Sequence, residues 1–90
     1  MIENQTFRLA AGADEDEFRA ADARAQQEIA YQQRGLVRRT TARSDDGEWL
    51  VSTIWSSSAD ADAAAPVLDA LLEHIDASTV RTSRYEDLGG

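Results

Sequence analysis

The chain has 90 residues, one histidine and no cysteine, and its 17 acidic and 9 basic residues give a formal net charge of −8. Without a thiol or a histidine pair, disulfides, iron–sulfur clusters, thiol catalysis and a structural zinc site are excluded, so no metal is expected. The acidic charge disfavours nucleic acid and anionic membranes as partners. Neither a membrane-spanning apolar run nor a signal-peptide pattern is recognisable, which predicts a cytoplasmic protein.

The first third of the chain predicts a strand followed by a helix. Apolar and polar residues alternate over residues 6–10, which indicates a strand near residues 3–10. The helix is predicted over residues 14–34, with Asp14 as N-cap, Glu17 as the partner in a capping box, and Gly35 as the terminating residue. Its apolar stripe consists of Phe18, Ala21, Ala25 and Ile29.

The remainder predicts a hairpin, a broken helical region and a last strand. Strands over residues 36–43 and 48–56 are joined by an Asp-Gly turn at Asp46 and Gly47. Because proline cannot continue a helix, a short helix over residues 59–64 and a longer one restarting at Pro66 are expected. The apolar face of that region consists of Val67, Leu68, Leu71, Leu72 and Ile75, and a final strand follows over residues 79–85.

The element order β-α-β-β-α-β predicts an α+β, ferredoxin-like fold. In it, two helical regions cover one face of a four-stranded antiparallel sheet, in a single domain over residues 1–90. A chain of this length is only marginally stable by itself.

The third strand is apolar on both sides. Trp49, Val51, Thr53 and Trp55 alternate with Leu50 and Ile54. Two helices bury only one of these sets, so the other would form an exposed apolar patch. A homodimer with the two sheets face to face buries that patch and adds to the small core.

Three segments resemble a known family. They are the acidic helix start that leads to Gly35, the run Gly-Glu-Trp-Leu-Val-Ser-Thr-Ile-Trp-Ser-Ser over residues 47–57, and the strand Thr-Val-Arg-x-x-x-Tyr over residues 79–85. Together they resemble the dimeric α+β barrel superfamily, antibiotic biosynthesis monooxygenase-like branch. The resemblance implies a homodimer with a pocket between sheet and helices in each subunit. It also implies a possible monooxygenase activity on phenolic or polycyclic aromatic compounds that needs no cofactor.

Trp55 is the first candidate for the wall of that pocket, since it matches the family's tryptophan at the end of the third strand. Gln5 falls where the haem-degrading branch carries an asparagine. Because His74 lies far beyond that branch's haem ligand and off the apolar stripe, it is interpreted as a solvated histidine, and haem is not expected. The other expected wall residues are Phe7, Leu9, Val51, Leu68 and Leu72.

Arginines on the strands are candidates for holding a phenolate. Arg38 is the first candidate on the second strand, and its neighbour Arg39 and Arg8 on the first strand are alternatives. Each of them also fits an ordinary exposed strand position paired with one of the many acids.

Two other function classes remain open at this point. A non-catalytic dimer of the same fold, acting as a ligand sensor or interaction scaffold, fits the same pattern. An RNA-recognition module shares the element order, but the charge of −8 and the absent aromatic series argue against it.

Overall fold

The computed structural model describes residues 1–89 as a four-stranded antiparallel sheet with strand order β2-β3-β1-β4, covered on one face by helices. This confirms the predicted ferredoxin-like fold. No helix among the described residues is long and apolar enough to cross a membrane. The elements are β1 (Ile2–Leu9), α1 (Glu15–Glu28), a 3₁₀ turn (Ala30–Gln32), β2 (Leu36–Arg43), β3 (Trp49–Trp55), α2 (Ser58–Ala63), a 3₁₀ helix (Val67–His74) and β4 (Ile75–Tyr85).

The two faces of the sheet follow from the alternation along β3. We call the face covered by the helices the front face and the opposite one the back face. Trp49, Val51, Thr53 and Trp55 are buried on the front face, whereas Leu50 and Ile54 are only half-buried on the back face. The predicted division of β3 into two sets is therefore confirmed, and the front-face set carries the core.

Helix α1 begins as predicted and supplies the centre of the core. The Asp14 side chain accepts a hydrogen bond from the Glu17 backbone N–H at 3.0 Å, which satisfies one of the free donors of the first turn. Phe18 is fully buried, and its ring meets those of Phe7 and Trp49 edge to face, at centroid distances of 5.8 and 4.9 Å. These rings join helix and sheet.

The predicted extension of the first helix to residue 34 is wrong. Helix α1 ends at Glu28, and the chain turns through Ala30–Gln32 instead. This turn brings the Tyr31 hydroxyl to β2, where it accepts from the Arg39 backbone N–H at 3.2 Å and lies 3.4 Å from the Arg39 carbonyl. A tertiary contact between this turn and the sheet edge replaces a further helical turn.

The second crossover also differs from the prediction. A 3₁₀ helix stands where an α-helix was expected, and Ile75 opens β4 opposite Leu9 instead of closing the helix stripe. With three residues per turn, Leu71 and His74 share one line on the inner side. Leu72 rotates outward and is 45% exposed, while Leu71 is fully buried.

His74 is not the solvated side chain that the sequence suggested. Its side chain is 16% exposed and packs edge to face against Phe18, with centroids 6.2 Å apart. The 3₁₀ geometry turns it inward toward the core.

Candidate functional site

A cavity of about 200 Å³ lies between the front face and the segment that connects β3 to the 3₁₀ helix. We call residues 58–68 of this connection the cover segment. The sheet side of the cavity is lined by Glu3, Gln5, Leu36, Arg39, Val51, Thr53, Trp55 and Arg84, and the cover segment contributes Ala61 and residues 64–68. One side is therefore strongly polar and the other is apolar.

Four of the predicted wall residues meet at this cavity. Gln5, Val51 and Trp55 line it from the sheet, and Leu68 lines it from the cover segment. They come together because Gln5 pairs with Val51 across β1 and β3, with both side chains on the front face.

The other four predicted residues do not line the cavity. Phe7 and Leu9 pack in the core at the far end of β1, and Leu72 is turned outward by the 3₁₀ helix. Arg38 pairs with Ile54 on the back face and is exposed. Its neighbour Arg39 takes the front-face position because a register shift between residues 36 and 38 sets the alternation of β2.

Four side chains form one row across the whole sheet beneath the cavity. In strand order β2-β3-β1-β4 the row reads Arg39, Thr53, Glu3 and Arg84, each paired with the next. All four line the cavity. We call this set the polar row. Its charges run positive, neutral, negative and positive, and neighbouring strands place its backbones about 4.8 Å apart.

Arg39 is held at its end of the polar row by a buried ion pair. Its Nη2 donates to Asp22 Oδ1 of α1 at 2.7 Å, with the Arg39 and Asp22 side chains 2% and 9% exposed. Its Nη1 donates to Gln26 Oε1 at 3.1 Å and to Thr41 Oγ1 at 3.3 Å, and Thr41 in turn donates to Asp22 Oδ2 at 2.7 Å. The guanidinium is thus fixed in one orientation.

Arg84 closes the other end of the polar row. Its Nε donates to Glu3 Oε2 at 3.0 Å and its Nη1 to Asp62 Oδ1 of α2 at 2.6 Å. Hydrogen bonds to Asp62 and then to Glu3 hold the pKa of the Arg84 guanidinium above its usual value. Arg84 therefore links the floor of the cavity to the cover segment.

Three donors on residues that line the cavity have no hydrogen-bond partner among residues 1–89. Trp55 Nε1 is buried and unpaired, and neither Arg39 Nε nor the Thr53 hydroxyl forms a hydrogen bond within residues 1–89. A buried donor without an acceptor costs about 1–3 kcal/mol. A ligand oxygen that accepts hydrogen bonds from these donors would remove this cost.

The sequence reasoning missed Glu3, Thr53 and Arg84 as site residues. The signal was the strand alternation itself, because Glu3 lies two residues before Gln5 on the same face of β1. Thr53 lies two residues before Trp55 on β3 in the same way.

Fold and cavity together define the class: an α+β protein of ferredoxin-like topology with a small cavity between sheet and helices. Solved structures of this kind include a variant of SnoaB, a cofactor-independent oxygenase from Streptomyces nogalater, at 20% identity and TM-score 0.78, covering 99% of this chain and 93% of that one. Rv0793 from Mycobacterium tuberculosis matches at 17% identity and TM-score 0.77, covering 99% and 95%.

A candidate antibiotic biosynthesis monooxygenase from Deinococcus radiodurans matches at 17% identity and TM-score 0.68, covering 100% of this chain and 95% of that one. No family model and no curated sequence matches the chain. The resemblance to the antibiotic biosynthesis monooxygenase-like branch is therefore confirmed at the level of the fold.

Proposed function

We propose that this protein binds a small aromatic molecule with a phenolic oxygen in its cavity and oxygenates it without a cofactor. The observation that carries the proposal is the buried, unpaired Trp55 Nε1 in a cavity wall that also holds Arg39 and Thr53. Three donors on one wall fit an oxygen anion, and the apolar cover segment fits an aromatic ring.

The volume of the cavity limits the ligand. A protein cavity of about 150 Å³ accommodates benzene, whereas sites for drug-sized ligands begin near 300 Å³. At about 200 Å³, the cavity suits one or two fused rings. A polycyclic compound would require the cover segment to move outward.

For this oxygenation the protein needs only to bind the substrate and to stabilise the charge of its phenolate. A phenolate gives an electron to O₂, and the two radicals combine to a ring peroxide. As the O–O bond breaks, the ring hydrogen passes to the departing oxygen, which leaves a quinone and hydroxide, and the hydroxide becomes water with the proton that the phenol lost. One oxygen atom enters the product and the other enters water. Donors aimed at the phenolate favour its formation at neutral pH.

The test measures binding and oxygen consumption separately. Phenol, 1-naphthol and anthrone are titrated against the intrinsic tryptophan fluorescence, and oxygen uptake above the buffer rate is then recorded for each binder. Trp55→Phe is the matched variant, because it keeps most of the ring volume and removes only the indole donor. We expect retained thermal stability with slower uptake and with weaker binding, which is measured by calorimetric titration because the variant lacks the reporting Trp55.

The outcomes separate the function classes. If no member of the panel alters the fluorescence, the binding proposal fails. If ligands bind without oxygen uptake, the activity proposal fails and the ligand-sensor alternative stands, since α2 has no buried residue and its position can respond to a ligand.

We further propose that the back face is the interface of a homodimer. The accessible surface of 5730 Å² exceeds the roughly 5200 Å² expected for a 9.9 kDa monomer. The back face carries apolar side chains that solvent reaches: half-buried Leu50 and Ile54 of β3 lie in the same sheet as Tyr85 of β4, which is 54% exposed. A second copy presents the same apolar patch under a twofold axis.

Sedimentation tests the assembly. The unaltered protein should sediment as a dimer at micromolar concentration. Leu50→Asp combined with Ile54→Asp should give a monomer or an unfolded chain, because unpaired charges are costly to bury. A monomeric unaltered protein at that concentration would disprove the interface.

A further inference from the structure

We propose that Glu3 accepts the proton of the phenolic substrate, whose oxygen binds over Thr53 between Glu3 and Arg39. This assignment rests on the proposed function and deepens it. The polar row carries the proposal, because Thr53 is the one position flanked on both sides by opposite charges.

The register of the sheet sets the distances. Thr53 pairs directly with Glu3 on β1 and with Arg39 on β2, so each neighbour lies about 4.8 Å away across the sheet. An oxygen bound to the Thr53 hydroxyl therefore lies between the strand positions of a glutamate and an arginine, both of which line the cavity. Proton acceptor and anion stabiliser stand on opposite sides of the same bound atom.

The surroundings of Glu3 leave it available for this role. Its side chain is 18% exposed, and Oε2 accepts from Arg84 at 3.0 Å, while Oε1 has no hydrogen-bond partner within residues 1–89. The other charged groups that face it are Asp62 of α2, beyond Arg84, and Arg39, two strands away and paired with Asp22. The cover segment otherwise lines the cavity with apolar residues.

The proton transfer balances over the whole reaction. The O–H bond of the phenol breaks, its electron pair stays on the oxygen as phenolate, and the proton moves to Glu3. After O₂ has added to the ring, the C–H bond at that carbon breaks, its proton passes to the terminal peroxide oxygen, and the O–O bond breaks to release hydroxide, which takes the proton back from Glu3 as water. The carboxylate is regenerated, and O₂ is the only oxidant.

Glu3→Gln tests the assignment with 1-naphthol as the probe. Below the pKa of the free naphthol, oxygen uptake by the variant should fall by about 10²- to 10⁴-fold, the usual contribution of general base catalysis. Above that pKa the substrate is already ionised, so uptake should recover toward that of the unaltered protein. Asp62→Asn is the comparison variant, because it removes the other carboxylate partner of Arg84. Any loss of uptake that it causes should be the same below and above that pKa.

Each result decides between the assignments. Equal uptake by Glu3→Gln and the unaltered protein below the naphthol pKa would overturn the role of Glu3 alone. A loss that persists above that pKa, or a loss in Asp62→Asn of the same size and with the same pH dependence, would overturn it as well, since it would assign Glu3 only to holding Arg84. If the unaltered protein neither binds naphthol nor consumes oxygen, the proposed function itself fails.

Discussion

The buried pair between Asp22 and Arg39 offers the sharpest test of how the site is held in place. Replacing Asp22 with alanine removes the acceptor of Arg39 Nη2 and of the Thr41 hydroxyl, both at 2.7 Å. The guanidinium would remain in the interior, because its side chain is 2% exposed and the sheet fixes its position. Asp22→Ala therefore leaves an uncompensated buried charge.

The expected cost follows from two separate estimates. Breaking one partner of a buried ion pair destabilises by about 3–5 kcal/mol. Adding the lost hydrogen bonds gives a similar figure, roughly 1.5–3 kcal/mol for each of the two bonds to the Asp22 carboxylate. A 90-residue domain has only about 5–14 kcal/mol of total stability. Asp22→Ala should thus remove a large part of the free energy of unfolding.

Urea unfolding and thermal unfolding, both at fixed protein concentration, measure this cost. We expect the melting temperature to fall by roughly 12–40 °C, at about 4–8 °C per kcal/mol for a domain of this size. Asp22→Asn should cost less, since its side-chain oxygen still accepts from Arg39. A free energy of unfolding for Asp22→Ala within about 1 kcal/mol of the unaltered protein would refute the reasoning.

A double variant separates stability from binding. Asp22→Leu with Arg39→Met replaces the pair by apolar residues of similar volume, which is often neutral or stabilising. Its stability should recover toward that of the unaltered protein, whereas phenol binding should stay weak because Arg39 is gone from the cavity wall.

Three further outcomes follow from the packing. Gly35→Ala should destabilise the protein more than Gly12→Ala does in urea unfolding. Both glycines have positive φ, which costs an alanine about 1–2 kcal/mol, but only the Cβ added at residue 35 would clash, because it would lie 2.6 Å from the Cβ of Asp60. Equal costs for the two variants would contradict the clash. Amide exchange over residues 58–65 should be faster than in β3, because α2 has no buried residue; equally slow exchange would contradict this. Leu71→Ala should cost about 2–5 kcal/mol in the same unfolding assay, since Leu71 is fully buried; a loss below 1 kcal/mol would mean that the core collapses around the gap.

The fold was predictable because its signals are local. Three local signals are confirmed by the structure: Asp14 caps the first helix, the Asp-Gly pair at residues 46–47 lies in the turn between β2 and β3, and burial alternates along β3. Each of them determines the structure of only a few neighbouring residues. The wrong predictions occur where contacts between distant parts of the chain determine how an element ends or which type of helix forms. The end of α1 depends on Tyr31 meeting the backbone of Arg39, and an apolar face with α-helical spacing gives no indication of a 3₁₀ helix.

The candidate site was half predictable for the same reason. Trp55, Val51, Gln5 and Leu68 are found at the cavity because alternation and periodicity place them there. Arg39 and not Arg38 lines the cavity because the register shift in β2 reverses the alternation, and no residue type in the sequence marks that shift. Which polar groups face each other across four strands depends on pairing register, which only the folded sheet shows.

The position of β1 in the middle of the sheet also has a consequence for biosynthesis. Residues 2–6 of β1 pair on one side with 81–85 of β4, so this contact joins opposite ends of the chain. While the ribosome is still translating β4, the nascent β1 has at most one neighbour and leaves an open edge that another chain can occupy. Pairings so distant along the chain also form slowly. Refolding yield should therefore depend strongly on protein concentration, with intermolecular strand pairing as the competing reaction.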